Sequence, residues 1–143
     1  MSESANPAGV SSAVIFRSAG GLFAVPMQDV IEINSRTDLT PLPCLPDYIL
    51  GVINLMGSVT PVIDLRRRLD FEDCEYGPRS CLMVLRHGEE SAAIKVDEVL
   101  TSKRYLPESF LPLPDPKSVI AGYITDGGEK IQLIRTGMLF EKK

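Results

Sequence analysis

Residues 51–65 read GVINLMGSVTPVIDL. Two β-branched runs flank Gly57, which predicts two strands joined by a tight turn. In the second run Val59, Pro61, Ile63 and Leu65 share one face. Ser58, Thr60 and Asp64 share the other, interrupted only by Val62. Pro61 cannot donate to a ladder, so its strand is expected to be an edge there or to carry a bulge. Gly57 supplies the turn, and Gly51 is expected to permit a bend or a close backbone approach. Asp64 is placed to cap a short LRRRL helix.

Similar breaks recur along the chain. Gly20-Gly21 divides AVIFRSA from LFAVPM, and Arg86-His87-Gly88-Glu89-Glu90 divides CLMVL from SAAIKV. Asp126-Gly127-Gly128 divides IAGYIT from EKIQLI. Four hairpins predict a mainly β protein, a barrel or sandwich rather than a parallel sheet with long crossovers. MQDVIEI, after Pro26, suits a turn of helix or a strand. PLPCLPDY and LPESFLPLPDPK are expected to be extended connectors. Two groups of hairpins separated by residues 66–78 suggest two subdomains, and no internal repeat stands out. A loose tail is expected over residues 1–12, one domain over 13–140 and a short tail over 141–143.

Composition narrows the function. The chain has 143 residues, 44% of them hydrophobic, enough for one domain with its own core. A net charge of −4 gives no attraction to nucleic acid or anionic lipid. Arg66, Arg67 and Arg68 are therefore expected to form a solvated helix face rather than a nucleic-acid site. Aromatic residues are 6% and tryptophan is absent, too few for a base-stacking surface. No apolar run approaches the ~20 residues of a membrane helix. MSESANPAGVSS lacks a basic segment and an apolar core, so no secretory signal is read there and the cytoplasm is expected.

The residues offer little chemistry. His87, the sole histidine, is expected in an exposed turn. Cys44, Cys74 and Cys81 are odd in number and widely spaced, which suits free thiols better than disulfides or zinc. Gly-Glu-Lys at residues 128–130 is not a phosphate loop. Glu89-Glu90 and Asp97-Glu98 are neighbours whose side chains diverge on a strand, which suits solubility better than acid–base catalysis. No enzyme, cofactor or metal is expected.

GVINLMGSVTPVIDLRRRL resembles the core signature of the CheW adaptor family, G-V-x-N-L-R-G-x-x-x-P-V-x-D-L-R. The match runs through Gly51, Val52, Asn54, Leu55, Gly57, Pro61, Val62, Asp64, Leu65 and Arg66. FAVPMQDVIEI, MVLRHGEESAAIKVDEVL and VIAGYITDGGEKIQLI resemble further family segments in the same order, so the likeness covers about residues 13–140. It implies two SH3-like five-stranded β-barrels packed together through a hydrophobic interface. It also implies a cytoplasmic, non-catalytic adaptor that couples chemoreceptor tips to the regulatory domain of a CheA-type histidine kinase. The alternatives are a divergent scaffold of another pathway, or a small-ligand-binding barrel sharing only the fold.

Two departures stand out. Met56 occupies the place of a family arginine associated with partner binding, exchanging a fixed charge and five donors for a flexible apolar chain. IRTGMLFEKK replaces an acidic, leucine-rich terminal segment, which would leave apolar surface open to a partner. The resemblance places Val30, Glu32, Asn54, Met56, Gly57 and Val59 on or beside a partner surface. The structural alternatives are a core role for Val30, a solvated Glu32, a turn-holding Asn54, an architectural Gly57 and a Met56 packed on a neighbouring loop.

Overall fold

A computed structural model describes residues 11–72 and 75–140. Cys74 and most of both expected tails fall outside them. The first described strand, β1, begins at Ser11.

Among the described residues, eleven strands form two sheets. The first contains β1 (Ser11–Ser18), β2 (Gly21–Pro26), β8 (Glu98–Tyr105), β9 (Phe110–Pro112), β10 (Ile120–Asp126) and β11 (Glu129–Ile134), ordered β8-β1-β2-β11-β10-β9. The second contains β3 (Val30–Asn34), β4 (Ile49–Leu55), β5 (Ser58–Asp64), β6 (Cys81–His87) and β7 (Glu90–Val96), ordered β3-β6-β7-β5-β4. The four expected hairpins are the antiparallel pairs β1–β2, β4–β5, β6–β7 and β10–β11. The expected break at residues 66–78 does not divide the sheets. The chain's first two strands pair with its last four, and the middle five form the other unit. One unit has six strands rather than five, because Phe110–Pro112 of the expected connector is an edge strand on β10. Neither sheet is closed by a continuous ladder.

Burial on both faces explains why runs such as AVIF and CLMVL do not alternate. In β1, Val14 and Phe16 enter a core between the two sheets, while Ala13 and Ile15 enter a second core within the first unit. In β6, Met83 and Leu85 face the shared core, while Leu82 and Val84 face a third, inside the second unit. The polar face expected for β5 is likewise interior: Thr60, Val62 and Asp64 are buried.

The units are related by an internal repeat that sequence inspection missed. β3 crosses to pair with β6 and β8 crosses to pair with β1, so each half of the chain lends a strand to the other. Val30 pairs with Leu85 while Ile31 bulges out, and Val99 pairs with Phe16 while Leu100 bulges out. Register shifts fall between Ile49 and Gly51, and between Ile120 and Gly122. One parallel contact lies in each sheet, Val62 beside Ala93 and Leu133 beside Ala24. Each long hairpin ends in a four-residue helix, α1 (Leu65–Arg68) or α2 (Thr136–Leu139). The shared signature is only G-x-I-x-x-x-G, Gly51 to Gly57 and Gly122 to Gly128.

The arginines of α1 are not a solvated face. Arg66 and Arg68 are buried. Arg66 pairs with Asp97 and stacks on Tyr76, 4.2 Å from the ring centre. Arg68 donates to the carbonyls of Leu139 (3.3 Å) and Met138 (2.6 Å) of α2 and lies over Tyr48. Asp97 is correspondingly a structural ion-pair partner rather than a solubilising charge, and it also accepts from the Ala19 amide at 2.9 Å. Asp64 caps α1 as expected, accepting from Arg66 N at 3.1 Å, and also accepts from the Tyr76 hydroxyl at 2.6 Å.

Candidate protein-binding surface

The hairpin of β4 and β5 ends in a two-residue turn, Met56-Gly57. Both residues have positive φ, 50° and 89°, the twist that suits antiparallel strands with a two-residue loop. Asn54 Oδ1 accepts from Gly57 N at 2.9 Å and holds the turn shut. Met56 stands fully clear of the protein, with a relative exposure of 103%, so it does not pack on a neighbouring loop. Val59, across the ladder from Asn54, is 68% exposed. Gly51 sits at the base, where an added Cβ would lie 2.6 Å from the Thr40 carbonyl. Thr40 exchanges both backbone bonds with Val52 at 2.9 Å. This turns Val52 away from its partner Pro61, whose missing N–H therefore leaves no gap between β4 and β5. Parallel pairing to β7 begins only at Val62, so β5 is unpaired on its far side at Pro61.

Val30 and Glu32 lie on β3, the opposite edge of the same sheet, but the segment that follows β3 returns to β4, where Thr40 bridges Val52. Asn34 Nδ2 donates to Glu32 at 2.7 Å, and Arg36 N donates to Asn34 Oδ1 at 3.0 Å. Arg36 Nη1 donates to the Asn54 carbonyl at 2.8 Å, completing a chain of bonds from Glu32 to Gly57. Arg36 also grips both carboxylate oxygens of Asp38, at 2.9 and 2.7 Å. That pairing holds Asp38 below its ordinary carboxylate range and raises Arg36. Val30 packs on the shared core. Glu32 is exposed, as are Ile31 and Ile33 beside it. Asn34, Arg36 and Asp38 were not singled out from sequence, because NSRTD reads only as a polar loop.

A second apolar feature lies between the units. Tyr48, Ile49, Pro61, Ile63, Leu139 and Phe140 line part of a groove of about 240 Å³ beside α2.

Among the described residues, the histidine and cysteine side chains stand apart from this surface. His87 is exposed and abuts Gly137, where an added Cβ would lie 2.8 Å from its Nε2. Cys44 is exposed, and Cys81 is a half-buried free thiol pushed up by burial. Among the described residues no three histidine, cysteine or carboxylate side chains gather as a metal site. Among them too, no helix is long and apolar enough to cross a membrane.

A family model described as the CheW-like domain matches residues 12–143. FrzA of Myxococcus xanthus is 37% identical over 69% of this chain and 62% of its own length, so the chain spans under two thirds of that relative. The chemotaxis protein CheW of Rhizobium meliloti (strain 1021) is 30% identical over 89% of this chain and 85% of its own length. Among solved structures, the scaffolding protein TtCheW from Thermoanaerobacter tengcongensis matches with a TM-score of 0.86 at 27% identity, covering 93% of this chain and 94% of that one. Paired SH3-like units, a shared core and a projecting hairpin tip thus coincide with likeness along nearly the whole sequence: the chain belongs to the CheW-like domain family, whose members are non-catalytic adaptors.

Proposed function

We propose that residues 13–140 act as one cytoplasmic adaptor domain that couples chemoreceptor tips to the regulatory domain of a CheA-type histidine kinase. The observation that carries this reading is the β4–β5 tip. Its turn is closed by the Asn54–Gly57 bond, it is tied by Arg36 to the loop after β3, and it presents Met56 and Val59 to solvent without use in any core. Val30, Glu32, Asn54 and Gly57 frame that surface. No bond is made or broken on such a protein. Holding two partners at once raises the effective concentration of each at the other.

The test is calorimetric titration of the chain with the CheA-type regulatory domain of the same organism. Saturable binding is expected, and Val59→Asp is expected to weaken it about tenfold by placing a charge in a desolvated contact. Equal affinity for Val59→Asp would remove the tip from the interface. Absence of binding by the parent chain would refute the kinase assignment. One observation favours a second reading, a scaffold of a pathway other than chemotaxis: a fully exposed methionine stands where the resembled signature has arginine. Binding to a different kinase's regulatory domain, with none to the chemotaxis kinase, would select it.

A further inference from the structure

From Tyr48 through Ile63 the chain contains no charged side chain, although 24% of the whole sequence is charged. The β4–β5 hairpin that carries the exposed Met56 and Val59 is therefore without charge from Tyr48 to Ile63. A cation bonded to it, Arg36, spends Nε and Nη2 on Asp38 and Nη1 on the Asn54 carbonyl. The carboxylate on the same chain of bonds, Glu32, sits at its far end against Asn34.

Met56 also stands in a conformation it does not favour. A side chain at φ 50° is strained, and asparagine or glycine is the usual occupant of that turn position. The internal repeat makes the comparison direct. The equivalent turn, Gly127-Gly128, has φ of 58° and 88° with glycine at both places. The backbone thus does not need methionine, and full exposure means that the fold gains no packing from it.

Resting on the adaptor reading above, we propose that Met56 is the specificity determinant of this adaptor. With Val59 it enters an uncharged, apolar socket on the kinase regulatory domain, in a contact that needs no ion pair. Charge complementarity sets the chemistry of the occupant. A neutral tip returns nothing for desolvating a carboxylate or guanidinium, so the matching surface is apolar.

The test titrates the full chain and three variants with the CheA-type regulatory domain, with thermal unfolding measured alongside. The parent affinity is expected to change less than about twofold between about 0.05 and 0.5 M salt, since screening acts only on charge. Met56→Asn is expected to bind at least about tenfold more weakly, from loss of apolar burial. The same variant should melt about 2–4 °C higher, from relief of the turn. Met56→Leu should retain most of the affinity, and Met56→Arg should lose it. Tighter binding by Met56→Arg, or parent binding that falls steeply with salt, would overturn the proposal by showing that the socket is acidic. Unchanged binding by Met56→Asn would overturn it with the adaptor reading intact. Failure of the parent chain to bind at all would instead refute the adaptor reading, and the inference with it.

Discussion

Glycine at position 51 is fixed by space. The Thr40 carbonyl lies where a side chain would begin, and the neighbouring Pro41 Cα is backbone as well and cannot swing aside. Gly51→Ala is therefore expected to cost about 1–3 kcal/mol of stability. A urea denaturation midpoint unchanged from the parent would contradict the packing described. This close approach was readable from the sequence, since an isolated glycine within a strand marks a bulge or a near backbone. The turn-holding role of Asn54 was readable for a similar reason. Val30 was harder. Its alternation with exposed neighbours is broken by the bulge at Ile31, and only the structure shows it resting on the shared core. A charged residue at Val30 would consequently report on folding as well as on partner binding, which leaves Val59 as the cleaner probe.

The elements are tied together by polar groups whose partners are distant in sequence. Helix α1 has only four residues and could not stand alone. It is held by the Asp64 cap, by Arg66 on Asp97 and Tyr76, and by Arg68 on the end of α2. Because Asp97 also takes the Ala19 amide, one carboxylate joins α1 to the β1–β2 turn of the other unit. Asp97→Ala removes a carboxylate from a buried guanidinium and the acceptor of the Ala19 amide together, and is expected to cost about 3 kcal/mol in chemical denaturation. A loss below about 0.5 kcal/mol, the scale of a surface substitution, would refute that role. The sequence shows three consecutive arginines, and solvation is the ordinary fate of such a run. Nothing local to RRR reveals that Asp97, Tyr76 and the carbonyls of α2 converge on it.

Tyr76 makes the same cluster sensitive to alkali. Burial, then the hydrogen bond to Asp64, push its phenol well above the ordinary 10.0. The unfolded chain loses this proton near pH 10.0 while the folded chain keeps it. The contribution is thus fully present below that pH and is lost as the pH rises above it. Tyr105, also raised by burial, acts in the same direction. Tyr76→Phe is expected to flatten, without abolishing, the fall in stability above pH 10, measured as the urea midpoint against pH. An unchanged slope would show that the phenol is not held protonated.

For the whole molecule, the crossing of β3 and β8 between the halves of the chain means that neither half completes a sheet alone, and the core between the sheets joins the two units. Leu85, fully buried in that core, pairs with Val30 and Ala92. Leu85→Ala is expected to cost about 2–5 kcal/mol and to lower amide protection in both sheets together. Two separate unfolding transitions would contradict this dependence. The mainly β class and all four hairpins were evident from periodicity and glycine placement. The nesting was not, because pairing between strands far apart in sequence leaves no local trace. The repeat is hidden in the sequence because its halves share a backbone plan with few identical residues.

An adaptor must hold two partners at once, and this is the claim that gives the tip its meaning. Sedimentation velocity of the full chain with both a CheA-type regulatory domain and a chemoreceptor cytoplasmic fragment of the same organism tests it most directly. A single faster species containing all three proteins is expected, lost when the adaptor is omitted. Only separate two-protein complexes, with the receptor fragment displacing the kinase domain, would contradict it.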